Sequence, residues 1–193
     1  VVFGTRPEAI KMAPVVKRLK ENSDFFDCTV CVTAQHRQML DQVLKIFDIE
    51  PDIDLNLMKP DQDLFDITSD VMATMKRVIA DACPDIVLVH GDTTTAMATA
   101  LSAFYLGVKV GHIEAGLRTF DLQAPFPEEF NRQLVSKVSL LHFAPTVDSA
   151  ENLIKEGHAE NLIFVTGNTV IDSLFWMIDK IRSSEQGESS LKA

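Results

Sequence analysis

The chain has 193 residues, of which 46% are hydrophobic and 24% are charged, and its formal net charge is -10. These proportions are ordinary for a soluble protein with one substantial core. The acidic balance, without clustered Lys and Arg, argues against a general nucleic-acid surface. No apolar run approaches the roughly 20 residues needed to span a bilayer, and the start lacks a signal-peptide pattern. We therefore expect a cytoplasmic protein that binds neither nucleic acid nor membrane.

Apolar, β-rich runs alternate along the chain with helical patterns. Between them, apolar residues recur at the i, i+3, i+4, i+7 spacing of helices, as Met12, Val15, Val16 and Leu19 do. Strands are predicted at residues 1–3, 29–33, 86–90, 109–114, 140–144 and 162–166. Within the strand at 86–90, residues 86–89 are apolar without alternation, which is typical of burial on both faces of a parallel sheet. An α/β fold with a Rossmann-like, doubly wound parallel sheet follows.

The sequence patterns at both ends of the chain predict that it is one part of a larger protein. The first strand is short, since buried strands usually run about 5 to 6 residues, and the sequence has no initiator Met. A helix from 169 to about 181 passes into a polar stretch with the composition of a linker. We expect residues 1–168 to form a Rossmann-like domain, and residues 169–193 a hinge helix and linker towards an absent second domain.

The Cys28-Thr29-Val30-Cys31 segment has the spacing of a redox or metal-binding motif. It lies in a predicted strand, where residues three apart are separated by about 10 Å and face opposite sides. That distance exceeds the reach of a disulfide. We therefore expect two small core or near-core residues.

The loop at residues 4–11 follows the first predicted strand. It contains neither G-x-G-x-x-G nor a Walker sequence, which argues against a nicotinamide or nucleoside-triphosphate enzyme. Thr5 and Glu8 have the spacing of a capping box that opens a helix. Arg6 and Lys11 would place two cations beside a helix N-terminus, which suits a diphosphate. A solvated helix residue is the alternative for Lys11.

Pro14 complicates the helix that this loop opens. A proline so deep in a helical pattern is expected to kink the helix or to mark its true first turn. Lys11 would then lie on a distorted loop.

A second strand end feeds a helix at residues 33–40. Four polar side chains there are candidates for a ligand site, with helix capping as the equal alternative. They are Gln35, His36, Arg37 and Gln38.

Three carboxylates, Asp92, Glu114 and Glu128, follow predicted strand ends or a loop. Ligands of open α/β sheets collect at the carboxyl ends of the strands, so the trio indicates a site. Each acid also has a structural explanation. Asp92 would cap a helix, Glu114 would pair with Arg118, and Glu128 would complement a helix dipole and pair with Arg132 at i, i+4.

Metal and serine-nucleophile chemistry have little support. His90 and His112 lie near strand ends without metal-ligand spacing, so we expect buried, satisfied histidines. The chain contains no Gly-x-Ser-x-Gly elbow.

Six motifs in chain order resemble those of the non-hydrolysing UDP-N-acetylglucosamine 2-epimerases, and together they span nearly the whole chain. They are Phe3-Gly4-Thr5-Arg6-Pro7-Glu8, Thr33-Ala34-Gln35-His36-Arg37, Val89-His90-Gly91-Asp92-Thr93-Thr94, His112-Ile113-Glu114-Ala115-Gly116-Leu117-Arg118, Pro125-Phe126-Pro127-Glu128-Glu129 with Asn131-Arg132, and Thr166-Gly167-Asn168-Thr169. The family commonly has Tyr-Ser where this chain has Gln123-Ala124.

The resemblance implies the first half of a glycosyltransferase-B type architecture, in which two Rossmann-like domains hold a sugar nucleotide between them. It implies an isomerase that interconverts UDP-N-acetylglucosamine and UDP-N-acetylmannosamine, through anti elimination of UDP and re-addition, for cell-surface polysaccharide synthesis. It implies no nicotinamide or metal cofactor, and it implies a homodimer.

The resemblance also implies roles for individual residues. It assigns proton transfer to Asp92, Glu114 and Glu128, without deciding which is the base. It assigns Arg6, Lys11 and Arg132 to the sugar nucleotide, and residues 35–38 to a second UDP-N-acetylglucosamine that acts as an activator. In the family, a further histidine and most nucleotide contacts come from the second domain.

Two other classes of function stay open. A hydrolysing epimerase, or another glycosyltransferase-B enzyme, would share the fold and the acidic cleft. Alternatively, the chain is a catalytically inactive module that binds a sugar nucleotide or dimerises.

Overall fold

A computed structural model describes residues 1–33, 37–57, 59 and 61–183 of the chain. Its strands are β1 Val2–Phe3, β2 Cys31–Val32, β3 Ile53–Asp54, β4 Ile86–His90, β5 Lys109–Ile113, β6 Leu141–Ala144 and β7 Ile163–Val165. Its helices are α1 Arg6–Glu21, α2 Arg37–Ile46, α3 Leu64–Ala82, α4 Thr94–Tyr105, α5 Glu128–Val138, α6 Val147–Lys155 and α7 Val170–Ser183, with a single 3-10 turn at Glu160–Leu162.

All described strand pairs are parallel. β1, β2 and β3 pair in that order, as do β4, β5, β6 and β7, and β1 contacts β4. The spatial order is therefore β3-β2-β1-β4-β5-β6-β7. The order of strands reverses between β1 and β4, which is where such sheets form a crevice for ligands at their carboxyl edge. The predicted α/β, Rossmann-like fold is confirmed.

Helices cover both faces of the sheet, as a doubly wound fold requires. Successive side chains of a strand point to opposite faces. Val2 of β1 and Cys31 of β2 accordingly belong to a core with α3, α4 and α5, whereas Phe3 and Val32 belong to a second core with α1, α2 and α7. Cys31 is buried and Cys28 is partly buried, as expected for core or near-core residues.

The short edge strand β3 was not among the predicted strands. Ile53, Leu55 and Leu57 alternate with polar residues and pack against the first core, so a period-2 signal was present. The strand was not predicted because it is only 2 residues long.

Pro14 does not mark the first turn of the helix, and the expectation that Lys11 lies on a distorted loop is wrong, because α1 runs from Arg6 to Glu21 with both residues inside it. Proline removes the N–H that would bond the carbonyl four residues earlier, here that of Ile10. The Ser173 hydroxyl of α7 donates a hydrogen bond to the Ile10 carbonyl at 2.5 Å and supplies the missing donor. Pro14 therefore creates a docking point for α7.

Within the described residues, no helix combines the length and the apolar character needed to cross a membrane.

Candidate active site

The candidate site lies at the carboxyl edge of the sheet, above β1, β4 and β5. Arg6 opens α1 just after β1, Asp92 follows β4, and Glu114 directly follows β5. Burial raises the pKa of Asp92, Arg132 opposes that rise, and the charges of Glu114 and Glu128 add to it. Because Asp92 interacts electrostatically with both glutamates, the structure brings the three acids of the sequence analysis into one site.

Glu114 adopts a backbone conformation that is rare for its residue type. Its φ is +63°, in the left-handed region that glycine occupies most readily. Non-glycine residues in this region cluster at functional sites, where the surrounding structure holds them against the strain. The Glu114 side chain is 12% exposed.

One oxygen of the Glu114 carboxylate receives two hydrogen bonds. Lys11 Nζ lies 2.5 Å from Oε1, and Asn168 Nδ2 lies 3.2 Å from the same atom. Lys11 therefore faces an acid of the site and is not a solvated helix residue. Asn168 follows β7 in a motif noted in the sequence, but its contact with Glu114 was not predicted.

The predicted pairing of Glu114 with Arg118 is wrong. Arg118 forms two hydrogen bonds with Glu156, at 2.6 and 2.8 Å, and a third with Ser136 at 3.0 Å. The Arg118 side chain is fully buried, and its carboxylate partner comes from the end of α6, 38 positions away. A bidentate partner from a distant helix satisfies the planar guanidinium better than an acid four residues earlier.

Two residues of α5 hold Asp92. Arg132 Nη2 forms a hydrogen bond with Asp92 Oδ2, and Asn131 Nδ2 donates to the Asp92 carbonyl at 2.9 Å. The capping role predicted for Asp92 is wrong, because Thr93 is the N-cap of α4 and accepts a hydrogen bond from the Ala96 amide. A residue of α5, Arg132, therefore holds the Asp92 carboxylate in position.

Glu128 is the first residue of α5, as the sequence analysis placed it at a helix start. The predicted ion pair with Arg132 is wrong, since the guanidinium instead contacts Asp92 and lies 3.5 Å from Glu129 Oε2. Among the described residues none forms an ion pair with Glu128. Its carboxylate sits beside Asp92 as a neighbouring negative charge.

Glu129 is a buried acid that shapes the loop before α5. Its carboxylate accepts hydrogen bonds from the amides of Thr119 and Phe120, both at 3.1 Å, and from Gln133 at 2.8 Å. Burial alone would raise the pKa of Glu129, but these hydrogen bonds outweigh it and lower the pKa. Glu129 thus stays ionised and links the loop to the Arg132–Asp92 pair.

Glu8 joins the two loops that meet at the strand-order reversal. The predicted capping box is confirmed, with Thr5 and Glu8 exchanging hydrogen bonds at the start of α1. Glu8 Oε1 also accepts a hydrogen bond from the Thr93 hydroxyl at 2.7 Å, which ties the Arg6 loop to the turn that carries Asp92. Burial raises the pKa of Glu8 despite these hydrogen bonds. The local sequence carried no signal for the contact with Thr93.

His90 and His112 are both buried, as expected. The expectation that their rings are satisfied is wrong, because His90 Nε2 and His112 Nδ1 have no hydrogen-bond partner among the described residues. His112 Nε2 lies 2.8 Å from the Gly91 carbonyl. His90 Nε2 lies 3.6 Å from Glu114 Oε2 and has no hydrogen-bond partner among the described residues. Burial lowers the pKa of His90 to about 4 and that of His112 to about 3.

Some of the remaining candidate residues lie within the described part of the chain and others lie outside it. Arg6 is exposed in the first turn of α1. Gln38 is exposed on α2, whereas Gln35, His36 and the side chain of Arg37 lie outside the described residues. In the described part of the chain, no group of three or more His, Cys, Asp or Glu is arranged to hold a metal ion.

The chain is similar to known proteins over nearly its whole length. The model of the UDP-N-acetylglucosamine 2-epimerase family matches residues 17–192. The UDP-N-acetylglucosamine 2-epimerase of Campylobacter jejuni is 60% identical over 185 residues, which are 96% of this chain and 48% of that protein. The Escherichia coli K12 protein of the same name is 56% identical over 192 residues, which are 100% of this chain and 51% of that protein.

A solved structure agrees with these relatives. The UDP-GlcNAc 2-epimerase of Neisseria meningitidis bound to UDP-GlcNAc has a TM-score of 0.93 and 53% identity, over 97% of this chain and 50% of that one. The chain spans about half the length of the relatives it matches. It belongs to the UDP-N-acetylglucosamine 2-epimerase family.

Proposed function

We propose that this chain supplies the acidic half of an enzyme that interconverts UDP-N-acetylglucosamine and UDP-N-acetylmannosamine. The observation that carries the proposal is the convergence of Asp92, Glu114 and Glu128 at the carboxyl edge of a parallel sheet, in a member of this family. The N. meningitidis relative was solved with UDP-GlcNAc bound, which supports this substrate.

The chemistry at C2 requires groups of the kind that this site provides. A base removes the C2 proton, the C–H electron pair becomes a C1=C2 double bond, and UDP leaves C1 with the bonding pair. Re-addition of UDP reverses the step, with the proton delivered to the opposite face. Two carboxyl groups on different sides of the sugar meet this requirement, and a third offsets charge that develops at the ring. We assign these tasks to Asp92, Glu114 and Glu128.

The cations of the site have two roles in this proposal: binding the diphosphate, and contacting the sugar nucleotide next to the acids. Arg6, exposed at the start of α1, binds the diphosphate with the help of the helix end. Lys11 and Arg132 contact the sugar nucleotide next to the acids that they hold, Glu114 and Asp92. Residues 35–38 are proposed as the contact for an activating second UDP-N-acetylglucosamine.

We further propose a glycosyltransferase-B architecture, in which residues 1–168 form the first domain. Residues 169–193 then form the hinge helix and linker to a second domain that completes the nucleotide site. A homodimer, a cytoplasmic location and a role in polysaccharide synthesis stay predictions from the family resemblance.

A chimera tests the activity. Residues 1–193 replace the matched 192 residues of the E. coli relative, and the chimera is incubated with UDP-N-acetylglucosamine. We expect UDP-N-acetylmannosamine, with the nucleotide still attached. Free N-acetylmannosamine and UDP would instead identify a hydrolysing epimerase, and a folded chimera without turnover would identify an inactive binding module.

A further inference from the structure

His90 is the last residue of β4 and pairs with Ile113, the residue before Glu114. Its side chain is 4% exposed, and its Nε2 lies 3.6 Å from Glu114 Oε2. This separation is longer than a hydrogen bond. A buried ring nitrogen without a hydrogen-bond partner among the described residues therefore points at a carboxylate of the candidate site.

The hydrogen bonds around the pair decide which atoms carry protons. The interaction of the His90 ring with its own backbone favours the protonated ring. The 3.6 Å between Nε2 and Glu114 Oε2 is too long for an N–H that donates to a carboxylate, so the proton of the neutral ring is assigned to Nδ1. In the neutral ring Nε2 then carries a lone pair. Burial and Lys11 lower the pKa of His90 to about 4 against the raising effect of Glu114, so the ring is neutral near pH 7.

The two oxygens of Glu114 are not equivalent. Lys11 and Asn168 both donate hydrogen bonds to Oε1. Oε2 faces the lone pair of His90 Nε2, so the two acceptors repel each other while Glu114 is ionised. A proton on Oε2 converts this repulsion into an O–H···N hydrogen bond. Protonation of Glu114 is therefore favoured at one oxygen, in one direction.

We propose that His90 is a positioning residue that accepts a hydrogen bond from protonated Glu114, and that Glu114 is the acid that takes the proton from the sugar. The second part rests on the proposed function. When Glu114 removes the C2 proton, the C–H pair forms the C1=C2 bond and UDP leaves C1 with its bonding pair. The proton stays on Oε2, His90 stays neutral, and the ionic contact of Oε1 with Lys11 is kept.

Other charged groups near the pair do not substitute for His90. Lys11 approaches from α1 and already occupies Oε1, and His112 of β5 uses Nε2 for the Gly91 carbonyl. Asp92 is held by Arg132 and Asn131. A purely structural His90, which only fills space beneath the site, would not respond to the protonation state of Glu114.

The first test uses the 193-residue chain without a substrate. In Glu114→Gln, Lys11 and Asn168 keep the amide oxygen at the position of Oε1, so the NH2 group faces His90 and mimics the protonated acid. We expect the nitrogen-15 NMR resonance of His90 Nε2 to move in the direction of an accepted hydrogen bond, relative to the wild-type chain at pH 7. Glu128→Gln is the matched control, since it removes the same charge from the same site without a group facing His90. An unmoved resonance in Glu114→Gln, or an equal shift in the control, would overturn the contact.

The second test uses the chimera with the E. coli second half. We expect His90→Leu to lower kcat about tenfold or more with little change in KM, because the loss concerns the proton-transfer step. His90→Gln, whose amide oxygen can accept the same hydrogen bond, should recover part of that loss. His142→Gln, at another buried histidine away from the acids, should keep ordinary turnover. Unchanged kcat in His90→Leu would overturn the role in proton transfer. The NMR result stands whether or not the chimera is active, so the two failures are distinguishable.

Discussion

The Lys11 ammonium lies 2.5 Å from Glu114 Oε1, and this pair joins the first helix to the end of β5 across 103 positions of the chain. The two side chains are 23% and 12% exposed, so water screens the interaction only in part. Lys11 therefore holds an acid of the candidate site in place, besides any contact with a diphosphate.

Replacing Lys11 should affect the chemical step. In the chimera, Lys11→Met keeps the linear stem but removes the charge, and we expect kcat to fall about 100-fold, since the partner of a reacting group is lost. Lys17→Met, on the same helix and away from the acids, is the matched control. A rise in KM with unchanged kcat would instead mean that Lys11 serves only to bind the nucleotide.

Arg132 should control the protonation of Asp92. Because the guanidinium lowers the pKa of Asp92 both as a charge and as a hydrogen-bond donor, Arg132→Met should raise that pKa further above its ordinary value. Carbon-13 NMR of the Asp92 carboxyl, titrated in the 193-residue chain, measures the change. Arg6→Met removes an exposed cation from the same edge and should leave the Asp92 titration in place. Equal curves for wild type and Arg132→Met would refute the assignment.

Buried histidines should make the fold labile to acid. Burial and the neighbouring His158 and Arg118 lower the pKa of His142 from 6.5 to about 4, against the raising effect of Glu156. The unfolded chain therefore binds a proton that the folded chain lacks, so stability present above pH 6.5 is lost as the pH falls towards 4. His90 and His112 act in the same direction.

His142→Gln isolates one contribution to this lability. Between pH 7 and pH 5, wild type should lose about 2 kcal/mol more free energy of unfolding than the variant, because each pKa unit corresponds to about 1.4 kcal/mol. Urea unfolding at the two pH values measures the difference. Equal losses in both proteins would show that folding does not lower the pKa of His142.

The Ser173–Ile10 hydrogen bond predicts a specific coupling. Ser173→Ala leaves the Ile10 carbonyl without a donor and should cost about 1 to 3 kcal/mol of stability. Pro14→Ala restores the helical N–H to that carbonyl, so the double variant should lose less than the sum of the two single effects. Urea denaturation of the four proteins gives the coupling energy. Simple additivity would mean that the Ser173 hydroxyl does not replace the proline's missing donor.

The strands that could be predicted from the sequence are those whose own residues form an apolar run. The run at 86–89 is apolar at every position, and β4, predicted at 86–90, has those bounds. The capping box of Thr5 and Glu8 was equally readable, because both partners lie within one helical turn. β3 was not predicted because its period-2 alternation belongs to a strand of only 2 residues.

The partners of the acids could not be read from local sequence. Lys11 and Glu114 are 103 positions apart, Asp92 and Arg132 are 40 apart, and Glu8 and Thr93 are 85 apart. The contacts of Lys11 and Glu8 exist because the strand order places β1 beside β4, whereas the contact of Asp92 joins the turn after β4 to α5. Predictions limited to nearby partners therefore failed for Arg118 with Glu114 and for Arg132 with Glu128.

Deuterium incorporation tests the central claim most directly. The chimera of this chain with the E. coli second half is incubated with UDP-N-acetylglucosamine in deuterated water, and both epimers are analysed by mass spectrometry and proton NMR. A carboxyl group that removes and returns the C2 proton exchanges it with solvent, so we predict deuterium at C2 of both sugars. Interconversion of the epimers without deuterium at C2 would contradict the proton-transfer role of these acids.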